Sequence, residues 1–180
     1  MKSKLIAISA ISASLLAIVL TLGAYIELAD VFMLTISSVF VILPLYYNSL
    51  KGSILTYLVG GIIAFLFSGF NVMSIVLPSY FAFFGLYPII FWIMKSKNVK
   101  KIFKIIIGVI WSAIFIYGIF YYYTLVMQVP IGAFPAWAEW IVNYIEIVLG
   151  VLSVIFFFIY DKYVEVLIKV SNYYLRKIVK

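Results

Sequence analysis

Six long apolar runs constrain this chain more than any other feature in it. They lie at residues 5–25, 31–47, 53–69, 72–94, 103–127 and 136–160, separated by short connections. A helix needs about 20 mostly apolar residues to cross the ~30 Å hydrocarbon core of a bilayer. Inside that core every backbone amide and carbonyl must find a partner within the protein, which a helix achieves unaided. The runs therefore predict an all-α integral membrane protein with six transmembrane helices. Of 180 residues, 67% are hydrophobic and 11% charged, against roughly half and a quarter in ordinary globular chains, so a soluble domain is excluded. Six such helices use about 120 positions, which leaves short loops and a tail over 161–180 around a single membrane domain. Lys2 and Lys4 before an apolar run look like the start of a secretory signal. A signal's apolar core is only about 7–15 residues long, so the longer first run is expected to stay as a helix.

Orientation follows from the basic side chains. Counting spans from a cytoplasmic N-terminus, the inner segments hold Lys2, Lys4, Lys51, Lys95, Lys97, Lys100, Lys101 and Lys104, and the tail adds Lys162, Lys169, Arg176, Lys177 and Lys180. All thirteen Lys and Arg then fall on one side, as the positive-inside rule requires. The outer connections carry Glu27, Asp30 and Glu139 and no base. Both termini are thus expected in the cytoplasm, in the cell membrane. The net charge of +7 is explained by anionic lipid or a cytoplasmic partner, without nucleic acid.

Several spans carry helix-packing signals. Ser9, Ala13 and Ala17 form a small-xxx-small stripe on the first, which lets another helix approach closely in lipid. The approaching helix is either one of this chain or one of a separate membrane subunit. Gly60, Gly61 and Ala64 mark a similar surface on the third span. Asn48 to Gly52 reads as a tight cytoplasmic turn pairing spans two and three, and Ser68 to Asn71 as a short outer turn. Pro78 and Pro88 bend span four, and the carbonyls they free must be met by neighbours or by a lined cavity. The bend is therefore a packing kink or a wall of a ligand cavity. After Tyr160 the tail is amphipathic, with Val164, Leu167, Ile168, Leu175 and Ile178 on one face. It is expected to lie on the inner leaflet.

Candidate chemistry concentrates between Phe134 and Gly150. Glu139, Asn143 and Glu146 recur at i, i+4 and i+7, so a helix sets all three on one face. A carboxylate in hydrocarbon costs about 2.5–3.5 kcal/mol even on lenient insertion scales, so the stripe must face protein, water or a ligand. Glu146 lies about ten residues into the sixth run, about 15 Å deep, and no Lys or Arg lies in an outer half-span to neutralise it. It serves either as a protonated structural donor or as part of a ligand or proton site. Trp137, Trp140 and Tyr121 sit at the outer interface, as an aromatic belt or as walls for a flat ligand, and Asn71 in the outer turn joins the set. The chain has no Cys and no His. Thiolate chemistry, the commonest metal ligand and the usual general base are absent, and no cofactor or metal is expected. Glu139 and Glu146 stand about 10 Å apart along a helix axis, beyond the spacing of paired-carboxylate catalysis. An enzyme is not expected.

Size, span count and orientation resemble the substrate-binding S-components of energy-coupling-factor (ECF) micronutrient transporters. These are small six-helix membrane proteins with both ends in the cytoplasm and an AxxxA motif in the first helix. The match here is Ala13-Ser-Leu-Leu-Ala17. The resemblance implies that Ser9, Ala13 and Ala17 dock a transmembrane coupling subunit carried by two ATPases. It also implies that a vitamin or other nutrient binds near the outer side, enclosed by helices four to six and the outer loops. No substrate-specific motif of that family occurs, so the candidate ligands rest on position alone. Acids without bases outside suit a neutral or cationic solute. The competing expectation is a non-transporting scaffold resembling the rod-shape protein MreD, which is also small, has about six spans and needs no cavity.

Overall fold

A computed structural model describes residues 2–70, 74–125, 128 and 144–178, and the side chains within them except at 2, 27 and 172–178. The described residues are helical, with no strand among them. The helices are α1 (Lys2–Tyr25), α2 (Asp30–Tyr46), α3 (Leu50–Phe67), α4 (Val76–Ser96), α5 (Lys101–Leu125) and α6 (Ile145–Ile178). A 3₁₀ turn at Glu27–Ala29 joins α1 to α2. Five of them, α1, α3, α4, α5 and α6, are long and apolar enough to cross a membrane, whereas α2 has 17 residues. The chain divides into two compact units, Met1–Asn98 with Tyr163–Lys180, and Val99–Lys162.

In the first unit local chemistry sets the helix ends. Asn48 takes a left-handed φ of 53° and its N–H returns to the Leu45 carbonyl at 2.9 Å, closing α2. The next residue, Ser49, caps α3 by accepting a hydrogen bond from the Gly52 N–H at 3.1 Å. Gly69, at φ 67°, ends α3, with the Phe70 N–H bonded back to the Phe65 carbonyl. These turns fall where the sequence places the inner and outer connections.

Hydroxyls and glycines join the helices. The Ser53 hydroxyl donates to the Val41 carbonyl at 2.7 Å, and Thr56 to the Ser9 carbonyl at 3.2 Å. Near the other end Tyr25 donates to the Phe67 carbonyl. A Cβ on Gly23 would meet both Met33 and Val76. So α1 and α3 run in one direction and α2 in the other. One end of this bundle carries Lys4, Lys51, Lys95 and Lys97, and the opposite end carries Asp30.

The tail differs from the expected surface helix. It continues α6, which runs unbroken for 34 residues in all, about 51 Å at 1.5 Å per residue. No Gly or Pro interrupts residues 151–178, so nothing in the chain stops the helix. Val164 and Ile168, from the apolar face of the tail, are buried, and the Tyr163 hydroxyl donates to the Thr35 carbonyl of α2 at 2.9 Å. In the second unit, α5 meets the early part of α6. Phe157 fills the space over Gly108, and the Ser112 hydroxyl donates to the Ser153 carbonyl at 3.0 Å. Lys104 pairs with Asp161 at 2.8 Å, at the end of this unit that holds Lys101 and Lys162.

Candidate functional site

Of the residues singled out as solute ligands, Asn71, Trp137, Glu139, Trp140 and Asn143 lie outside the described residues. Glu146 and Tyr121 are described. Glu146 is the second residue of α6 and its side chain is exposed. The described helix runs from Ile145, with Tyr144 in a turn before it, and Glu146 stands in its first turn. A carboxylate there is favoured by the N-terminal end of the helix dipole, worth about 0.3–1 kcal/mol at an exposed site.

The contact that anchors this turn comes from a residue the sequence did not single out. The Tyr117 hydroxyl of α5 donates to the backbone carbonyl of Glu146 at 2.6 Å. Tyr121 follows one turn later on the same face of α5 and is 52% exposed. Tyr117 was legible only as the i−4 partner of Tyr121. Glu146, Tyr117 and Tyr121 thus gather at one end of the second unit, opposite the end that holds Lys101, Lys104 and Lys162.

The small stripe of α1 has an occupant. Ser9, Ala13 and Ala17 are buried. A Cβ on Gly52 would strike the Ser9 hydroxyl, and one on Gly60 would lie 3.0 Å from the Ala13 carbonyl oxygen. Of the two partners open to this stripe, the structure supplies the helix of the same chain, α3.

The bend in α4 is also filled. Residues Tyr80–Phe84 form a π-helical turn, closed by the Gly85 N–H to the Tyr80 carbonyl at 2.9 Å. Pro88 has no N–H to offer the Phe84 carbonyl, and the Ser38 hydroxyl of α2 takes that place at 3.0 Å. Tyr57 of α3 donates to the Phe81 carbonyl at 2.9 Å, and Tyr80 donates to the Tyr57 carbonyl at 3.0 Å. Phe83 and Tyr87 stack with centroids 5.3 Å apart, and both are fully buried. Freed carbonyls at membrane depth must be met by protein or by a cavity; here protein meets them. Among the described residues no buried side-chain nitrogen or oxygen lacks a partner, and no cluster of metal-ligating side chains forms.

Two hollows lie toward the basic end of the first unit. One, of about 260 Å³, opens between the C-terminal turns of α2 and α4 and the distal part of α6. Another, of about 440 Å³, is a mostly apolar groove along α1 and α3. Comparison with protein-family models, with curated proteins and with solved structures finds no match. The fold and its charge distribution define the class: an all-helical protein with five helices able to cross a membrane.

Proposed function

We propose that this chain is the substrate-binding subunit of a membrane importer of the kind it resembles, an ECF S-component. It would sit in the cell membrane with α2 as a short additional span and both termini in the cytoplasm. The observation that supports this most is the segregation of charge. In each unit the described bases collect at one end, while Asp30 in one unit and Glu146 in the other mark the opposite end. That polarity fits the positive-inside rule and leaves an acidic, aromatic exterior suited to a neutral or cationic solute. Glu146 and Tyr121 would contribute to capture together with Asn71, Trp137, Glu139, Trp140 and Asn143. The chain would perform no catalysis, and a coupling subunit with ATPases would drive release inward.

A scaffold resembling MreD is the second reading, favoured by the filled bend in α4 and by the α1 stripe being engaged with α3. One experiment separates the two. The purified full-length chain is titrated with a panel of vitamins and amines, and the membrane complex is captured in mild detergent. Transport predicts micromolar or tighter binding of one compound, a loss of at least about tenfold in Glu146→Leu, and co-capture of an ATPase with a second membrane protein. Scaffolding predicts no binding across the panel and unaltered function in Glu146→Leu.

A further inference from the structure

The 260 Å³ pocket of the first unit is amphipathic in a definite direction. Its floor is Ile42, Leu45 and Ile168, all buried, and its mouth is edged by Asn48, Lys95 and Ser171. It lies at the end of the bundle where Lys4 stands over the Tyr47 ring, 6.0 Å from its centroid. The volume is below the ~300–1,000 Å³ of sites that enclose a whole small molecule. It suits a headgroup entering from beside the protein, with its apolar remainder left against the helices.

Charge decides which headgroup. Lys95 is exposed in the last turn of α4 and has no carboxylate partner among the described residues. On α6, Lys169 is already engaged with Glu165 at 2.8 Å. Two helix C-termini meet here, and their carbonyls would repel an anion, but the chain itself occupies several of them. The Pro44 carbonyl accepts from the Tyr47 and Ser49 N–H groups, and the Leu45 carbonyl from Asn48. The Ile93 carbonyl accepts from the Lys97 N–H and from the Ser96 hydroxyl. Among the described residues that line the pocket, Lys95 is the one base, with Asn48, Ser171, Tyr46 and Trp92 as neutral polar side chains. Basic pockets between membrane helices on the cytoplasmic side are suited to phosphate-bearing lipid headgroups, each Lys being worth about 1 kcal/mol.

We propose that this pocket binds the phosphate headgroup of an anionic phospholipid from the leaflet at the basic end, with Lys95 as the charge that selects it. The site is independent of the solute capture proposed for Glu146 and Tyr121.

The test uses the full-length chain in detergent and native mass spectrometry. It is titrated separately with phosphatidylglycerol, phosphatidylcholine and inorganic phosphate. One phosphatidylglycerol should be retained in preference to phosphatidylcholine. Lys95→Gln should weaken that retention about fivefold, the worth of one lysine, and Ser171→Phe should abolish it by filling the mouth. Lys97→Gln, which does not line the pocket, should stay within twofold. Equal retention of the two lipids, or equal losses in Lys95→Gln and Lys97→Gln, would overturn the site in favour of diffuse surface charge. Displacement of the lipid by equimolar inorganic phosphate would overturn the lipid assignment and leave a free-anion site.

Discussion

The two units solve the same packing problem with different thoroughness. In the first, α4 buries Val76, Leu77, Tyr80, Phe83, Phe84, Tyr87, Ile89 and Phe91, and hydroxyls from α2 and α3 serve its backbone. In the second, α5 buries only Gly108, Ser112 and Phe115 of its 25 residues, while Ile106, Ile110 and Ile114 stay exposed. In water so much exposed apolar surface would mark an interaction site; against lipid tails it carries no such cost. What marks an interior here is small size and hydroxyl content. Ser37, Ser38, Ser53, Thr56, Ser112 and Ser153 are among the most buried side chains. Both units use a glycine to bring helices close and a serine to fasten them, consistent with association by close approach and interhelical hydrogen bonds.

Substitutions can break this parallel. The largest effect is expected at Gly60. Added atoms there run into the Ala13 backbone, which cannot rotate away, so Gly60→Leu should separate α1 from α3 and lower stability by about 3 kcal/mol or more, at or above the upper end of ordinary overpacking. Gly108→Leu meets the buried Phe157 side chain, which must repack, rather than backbone, and should cost less. Thermal unfolding of both variants in one detergent would order them, and equal losses would show that the two interfaces are equally rigid. A smaller effect is expected from the serines. Ser38→Ala removes the hydroxyl that the Phe84 carbonyl accepts from and should cost about 1 kcal/mol. Ser112→Ala leaves the Ser153 carbonyl with its own helix partner and should cost about 0.6 kcal/mol, the average for such bonds. Denaturant titration would resolve the difference. The smallest belongs to Lys104 and Asp161, both partly exposed at 2.8 Å. Lys104→Gln should cost no more than about 1 kcal/mol, and the loss should shrink as salt is raised from low to physiological ionic strength.

Helix content and the inner and outer turns were legible in the sequence, because Asn48, Ser49 and Gly69 act through neighbours only a few residues away. Pro88 announced a bend, but not that Ser38, far off in the chain, would serve the freed carbonyl. The tail was harder. Asp161 and Lys162 look like the end of an apolar run, yet Asp161 is neutralised by Lys104, and Val164 and Ile168 find protein instead of headgroups. Both facts depend on residues distant in sequence. For the candidate site, the i, i+4, i+7 spacing of Glu139, Asn143 and Glu146 assumed one helix from 136. Glu139 and Asn143 lie outside the described residues, and Glu146 stands in the first turn of the described α6, where Tyr117 reaches its carbonyl.

The hydroxyl of Ser38 has a mechanical meaning. Sliding α4 by one turn along α2 would part the Ser38 hydroxyl from the oxygen of Phe84, a loss of about 1 kcal/mol. Ser38 therefore works as a key in a slot, locking the relative height of these two rods. The two helices thereby favour one register over its neighbours.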